Sequence, residues 1–200
     1  GKEDIPEVER ETEASTAGLP ANAIPVDYHE KHIYIRGSVD GVQGNFMFDT
    51  GADNFYLDSL FYQQHEFNHE KIVEIALPGV GEDVSRGKAV LDTIDFSCAD
   101  YTYRTTKVPV VNLKRLVEKA DGILGRDFFS DKVVRVEYQD GYITVHDSIE
   151  QISLDRYEKI ECEKHVHGLR LPLQIVVSDS LTIDLFVSLD LGSAGILSLA

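Results

Sequence analysis

Two acidic residues stand where acids are costly. Asp49 ends the run Asn45-Phe46-Met47-Phe48, an apolar stretch that suits a buried strand, where an unpaired carboxylate is expensive. Thr50 and Gly51 follow, placing a hydroxyl beside the carboxylate and then a sharp turn free of any side chain. Far along the chain the pattern recurs: in LFVSLDLGSAGIL, residues 185–197, alternating apolar residues lead into Asp190-Leu191-Gly192-Ser193-Ala194. Two carboxyls about 3 Å apart cannot both ionise, so they share a proton and their titrations separate. One then acts as base toward a water molecule while the other acts as acid toward a carbonyl oxygen, and the roles exchange during turnover. That chemistry needs no metal, no cofactor and no covalent nucleophile.

A third segment lies between the two acids. DGILGRDFF, residues 121–129, holds Ile123-Leu124-Gly125 with Asp127 two positions on. Asp49-Thr50-Gly51-Ala52 resembles the active-site signature of the retropepsin-like and pepsin-like aspartic proteases, and Ile123-Leu124-Gly125 resembles that family's second mark. The chain resembles the bacterial form with two tandem lobes, carried here as lobe one and a fragment of lobe two. The resemblance implies an aspartic endopeptidase that hydrolyses peptide bonds, with Asp49 and Asp190 as its dyad and Thr50, Gly51 and Gly192 as support. It implies that the Ile-Leu-Gly strand threads past the catalytic loop, with Gly125 allowing close backbone approach. Asp53 stands where retropepsins carry an acid with a structural or substrate-end role. Gly79, Val80 and Gly81 in LPGVGEDVSRG would tip a flap over bound peptide, held as an added strand. Leu191 departs from the family, which has Thr or Ser there, leaving Thr50 as the one hydroxyl beneath the two acids; Thr at 191 is expected to be tolerated.

These side chains need a strand-rich scaffold. The expected fold is mostly β: a closed, barrel-like lobe with a few short helices, followed by the start of a second, related lobe. The expected division is a disordered tether over 1–21, a first lobe over 22–147, a connector over 148–167 and the opening of a second lobe over 168–200. Strands are expected through residues 22–57, with turns at Gly37, at Asp40-Gly41 and at Gly51. SLFYQQHEF, LKRLVEKA and RDFFSD suit short helices, and Gln139-Asp140-Gly141 suits a hairpin turn. Upstream of the second acid, LRLPLQIVV (169–177) answers IPVDYHEKHIYIRG (24–37). If lobe two mirrors lobe one, the natural protein runs on for roughly 90 residues beyond Ala200. The alternative source of a second acid is a homodimer contributing two copies of Asp49. The alternative to an enzyme is a non-catalytic peptide-binding domain on the same fold, for which Leu191 is the argument.

Composition narrows the partners. A hydrophobic content of 42% suffices for real cores, and no apolar run is long enough for a transmembrane helix. The formal charge of −16 repels phosphates and so argues against nucleic acid, while it suits a protein that works in acid. The charged opening KEDIPEVERETEASTAG suits a tether, which favours a secreted, periplasmic or membrane-tethered location. Cys98 and Cys162 define no disulfide framework. His65-Glu66-Phe67-Asn68-His69 matches a zinc-binding pattern of two histidines one helical turn apart, but its flanks are polar and the expected helix is ending there. Cys162, His165 and His167 lie in the charged connector with no fourth ligand nearby, so no metal site is expected.

Overall fold

The computed structural model describes residues 18–78, 84–165 and 168–193. The first strands are β1 (Ala23–His29), β2 (His32–Val39), β3 (Val42–Phe48) and β4 (Tyr56–Asp58). After helix α1 (Ser59–Gln64) come β5 (Ile72–Pro78), β6 (Val84–Val90), β7 (Ile94–Cys98), β8 (Tyr101–Thr105), β9 (Val108–Val111) and β10 (Gly122–Leu124). A 3-10 turn at Arg126–Phe129 leads to β11 (Val133–Glu137) and β12 (Tyr142–His146), and then to β13 (Glu163–His165), β14 (Gly168–Ser178) and β15 (Leu181–Ser188). The molecule is mostly β. One large sheet runs β11-β12-β1-β2-β3-β10-β4-β9-β6-β5, with β7 and β8 branching from β2, and β13-β14-β15 form a second sheet. Among the described residues the large sheet does not close on itself, so it is open where a closed barrel was expected.

The central strand is β3. It pairs antiparallel with β2, from Ile33↔Phe48 to Val39↔Val42, and parallel with β10, Leu124 opposite Phe48. Flanked on both edges, it also buries both faces, which explains why Phe46, Met47 and Phe48 are apolar in succession. Phe46 and Phe48 join the main core, where Phe46 meets Phe96 edge-on with ring centroids 4.9 Å apart. Met47 packs on the other side with Tyr34 and Ala120.

Several local expectations change. Gly37 is inside β2, not at a turn: a Cβ there would lie 2.5 Å from the Phe96 ring, so the glycine serves the close crossing of β2 and β7. The turn at Asp40-Gly41 forms as expected, both residues having positive φ. LKRLVEKA is a string of turns rather than a helix. Its first amides, Leu113 N and Lys114 N, donate to the buried carboxylate of Asp58 at 2.9 and 3.4 Å, which bends the segment toward β4. Asp58 also caps α1, accepting from Leu60 N and Phe61 N, so four N–H groups meet one fully buried acid. RDFFSD gives the 3-10 turn, and Gly141 (φ 69°) closes the β11–β12 hairpin. β13 falls within the stretch assigned to a connector and pairs with β14.

Candidate active site

Asp49 is the first residue after β3, and its amide donates to Leu124 O at 3.0 Å, continuing the parallel ladder by one step. Its Oδ1 accepts from Gly51 N at 2.7 Å, which folds the chain back sharply. The same turn recurs at the second acid, where Asp190 Oδ1 accepts from Gly192 N at 2.9 Å. Asp190 follows β15 with Leu189 between, where Asp49 follows β3 directly, and in both cases the acid is delivered by the second arm of an antiparallel hairpin.

The two turns face each other. A Cβ built on Gly51 would lie 2.6 Å from Asp190 Cγ, and one built on Gly192 would lie 2.2 Å from Asp49 Cγ. Each glycine is thus pressed against the opposite carboxylate, and neither position has room for a side chain. Thr50 joins the turns below. Its hydroxyl donates to Leu189 O at 2.9 Å and accepts from Leu191 N at 3.0 Å. Leu191 returns no hydroxyl; its half-buried side chain packs instead against the main core of the first sheet. The interlock is one-sided.

Burial raises the Asp49 carboxyl above the ordinary carboxylate range, and the neighbouring Asp190 adds to this through its charge and a shared hydrogen bond. The Gly51 and Ala52 amides pull the other way. Asp49 is half-buried and Asp190 exposed, so the two acids occupy different surroundings. Asp53 is exposed at the rim.

Behind the turn, Gly125 makes the close approach expected of it: a Cβ there would sit 2.3 Å from Asn54 O. Arg126 N donates to Ala52 O at 2.9 Å, and Arg126 Nη1 donates to Thr50 O at 3.1 Å, holding the loop after Asp49 from below. Asp127 accepts a 2.6 Å bond from Tyr103 OH. Desolvation raises the Asp127 carboxyl, and burial with this bond pushes the Tyr103 phenol up to about 12. The sequence pointed to Asp127 but not to Arg126, Tyr103 or His32, whose Nε2 lies 3.1 Å from Gly192 O. Counting the β2–β3 register back from Ile33↔Phe48 sets His32 level with Asp49, a signal available once the hairpin is recognised.

Gly79, Val80 and Gly81, expected at the flap, lie outside the described residues. The strands on either side, β5 and β6, pair antiparallel from Ile72↔Val90 to Pro78↔Val84. His65 and His69 do not share a helix: α1 ends at Gln64 and His65 is already extended. His69 instead joins Asp40 Oδ2 and Tyr62 OH, each at 3.0 Å. Cys98 is buried, its thiol pushed up to about 12, and Cys162 is exposed; both are free. Ala194 and His167 lie outside the described residues.

Residues 35–128 match the family model described as aspartyl protease, a span that contains both Asp49-Thr50-Gly51 and Ile123-Leu124-Gly125. Over this part, somewhat under half of the chain, the sequence is similar to aspartyl proteases. Among solved structures, the chain is similar to a retropepsin-like aspartic protease from Rickettsia conorii, at 22% identity and a TM-score of 0.42, covering 62% of this chain and 88% of that one. No curated protein matches the chain. No helix among the described residues is long and apolar enough to cross a membrane.

Proposed function

We propose that the protein is an aspartic endopeptidase in which Asp49 and Asp190 form a water-activating dyad. The observation that carries this reading is reciprocity: Gly51 abuts the Asp190 carboxylate, Gly192 abuts the Asp49 carboxylate, and one hydroxyl, Thr50, bonds to the main chain on both sides of Asp190. The two carboxyls share one proton, and burial raises the Asp49 carboxyl. In attack, the ionised member of the pair takes a proton from the water as the water oxygen bonds the peptide carbonyl carbon, and the protonated member gives its proton to the carbonyl oxygen. Collapse of the tetrahedral intermediate returns a proton to the leaving nitrogen and restores the pair.

Residues 22–147 serve as the first lobe, 148–167 as a connector and 168–200 as the opening of a second lobe on the same plan. Support comes from the repeated hairpin that ends in Asp-x-Gly, β2–β3 in one case and β14–β15 in the other. The substrate is an extended peptide lying across the dyad beneath a flap whose arms are the paired strands β5 and β6. Incubation with a mixed peptide library at acidic pH tests the reading. Cleavage that a statine-type transition-state mimic blocks is expected. Peptide binding without cleavage at any pH would favour a non-catalytic binding domain instead.

A further inference from the structure

Thr50 bonds to two main-chain groups of the loop around Asp190, and Leu191 offers no hydroxyl in return. A third group of that loop, Gly192 O, is held from the first lobe by His32. This histidine opens β2, one residue before Ile33, which pairs with Phe48 immediately ahead of Asp49. Its Nε2 lies 3.1 Å from Gly192 O across 160 residues of sequence. A carbonyl oxygen can only accept, so Nε2 carries the proton and donates it. The other ring nitrogen, Nδ1, is buried without a partner among the described residues, so the Gly192 bond is the one that orients the ring. Tyr34 packs edge-on against it, centroids 6.5 Å apart, and limits its rotation.

Gly192 is also the residue pressed against the Asp49 carboxylate. A bond to its carbonyl therefore fixes the distance between the second turn and the first acid at the point of closest approach. Resting on the dyad reading above, we propose that His32 is a positioning residue for Asp190, supplying from lobe one the inter-lobe bond that Leu191 cannot. Leu189 O, Leu191 N and Gly192 O are then all bonded by first-lobe side chains. Losing one of them lets the Asp190 loop drift, and misplacements near 1 Å cost up to about 100-fold in rate.

The test compares His32→Leu, which removes the donor, with His32→Gln, whose side-chain amide nitrogen can occupy the place of Nε2. In the unmutated background, kcat and KM are measured on a fluorogenic peptide, and hydrogen exchange is followed at Leu191 N, with the Ile35 and Phe46 amides reporting that the first lobe is folded. His32→Leu is expected to lower kcat by about 10- to 100-fold with KM changed less than about two-fold, and to speed exchange at Leu191 about 10-fold. His32→Gln is expected to recover most of both. Unchanged kcat in His32→Leu, or a Gln variant as impaired as the Leu variant on a folded first lobe, would overturn the proposal. Should the parent protein cleave nothing, the dyad reading fails by itself and Leu191 exchange decides alone: faster in the Leu variant and restored in the Gln variant upholds the contact, and no change refutes it.

Discussion

Thr50→Val tests the one-sided interlock. Valine keeps the shape of threonine and removes the hydroxyl, so the perturbation is the loss of two bonds, to Leu189 O at 2.9 Å and from Leu191 N at 3.0 Å. Each such bond is worth about 1 kcal/mol net. A total of about 2 kcal/mol follows for docking of the Asp190 loop against the Asp49 turn. Because every 1.4 kcal/mol is tenfold, exchange at Leu191 N should accelerate about 30-fold, while amides in β3 and β10 keep their protection. Thr50→Ser, which retains the hydroxyl, should behave nearly as the parent. Amide exchange followed by NMR or mass spectrometry reads all three proteins. Equal protection of Leu191 in the Val variant and the parent would overturn this contact, since among the described residues Thr50 is the acceptor that amide has.

Further outcomes follow from other parts of the molecule. Asp58→Ala removes the α1 cap and strands the buried Leu113 amide, so urea unfolding should show a loss of about 3 kcal/mol with unchanged denaturant dependence. Leu191→Ala removes a half-buried side chain from the edge of the main core and should weaken loop docking by about 1 kcal/mol, read by the same exchange experiment. The pH dependence has a definite sign. Asp49 and Asp127 are raised in the folded protein, chiefly by desolvation, so the native state holds their protons longer than the unfolded chain does. Their contribution is full below the ordinary carboxylate value and is lost as pH rises through the raised folded values, so melting temperature should fall across that window. Asp127→Asn should flatten part of this slope. Asp95 and Asp147, lowered by Arg104 and Lys132, act in a separate window below the ordinary value and lose their contribution as pH falls.

Much of the candidate site is legible in the residues because its demands are local. An acid after a buried apolar run, a glycine two positions on and an Ile-Leu-Gly strand each carry a steric or desolvation requirement that few other residues meet. Gly125 illustrates this, since its close approach to Asn54 O leaves no room for any side chain. Residue patterns say less where a long-range contact decides the outcome. Gly37 resembles a turn residue, yet it sits inside β2 because the Phe96 ring of another strand needs the space. LKRLVEKA has helical spacing, but Asp58 takes its first amides and turns prevail over propensity. Sheet closure depends on which edges meet, and local patterning says nothing about edges. Arg126 and His32 were missed for a related reason: each acts through a backbone carbonyl of another segment, Thr50 O and Gly192 O, and such partners leave no side-chain motif.

Two acids acting as one unit are tested by peptide hydrolysis with Asp49→Asn and Asp190→Asn against the parent. Asparagine preserves shape but can neither serve as the base nor share the proton. Each single variant should lose hydrolysis to the same floor as the double variant, because the losses do not add. Loss in Asp49→Asn alone, with Asp190→Asn fully active, would contradict the account and point to a dimer of first lobes.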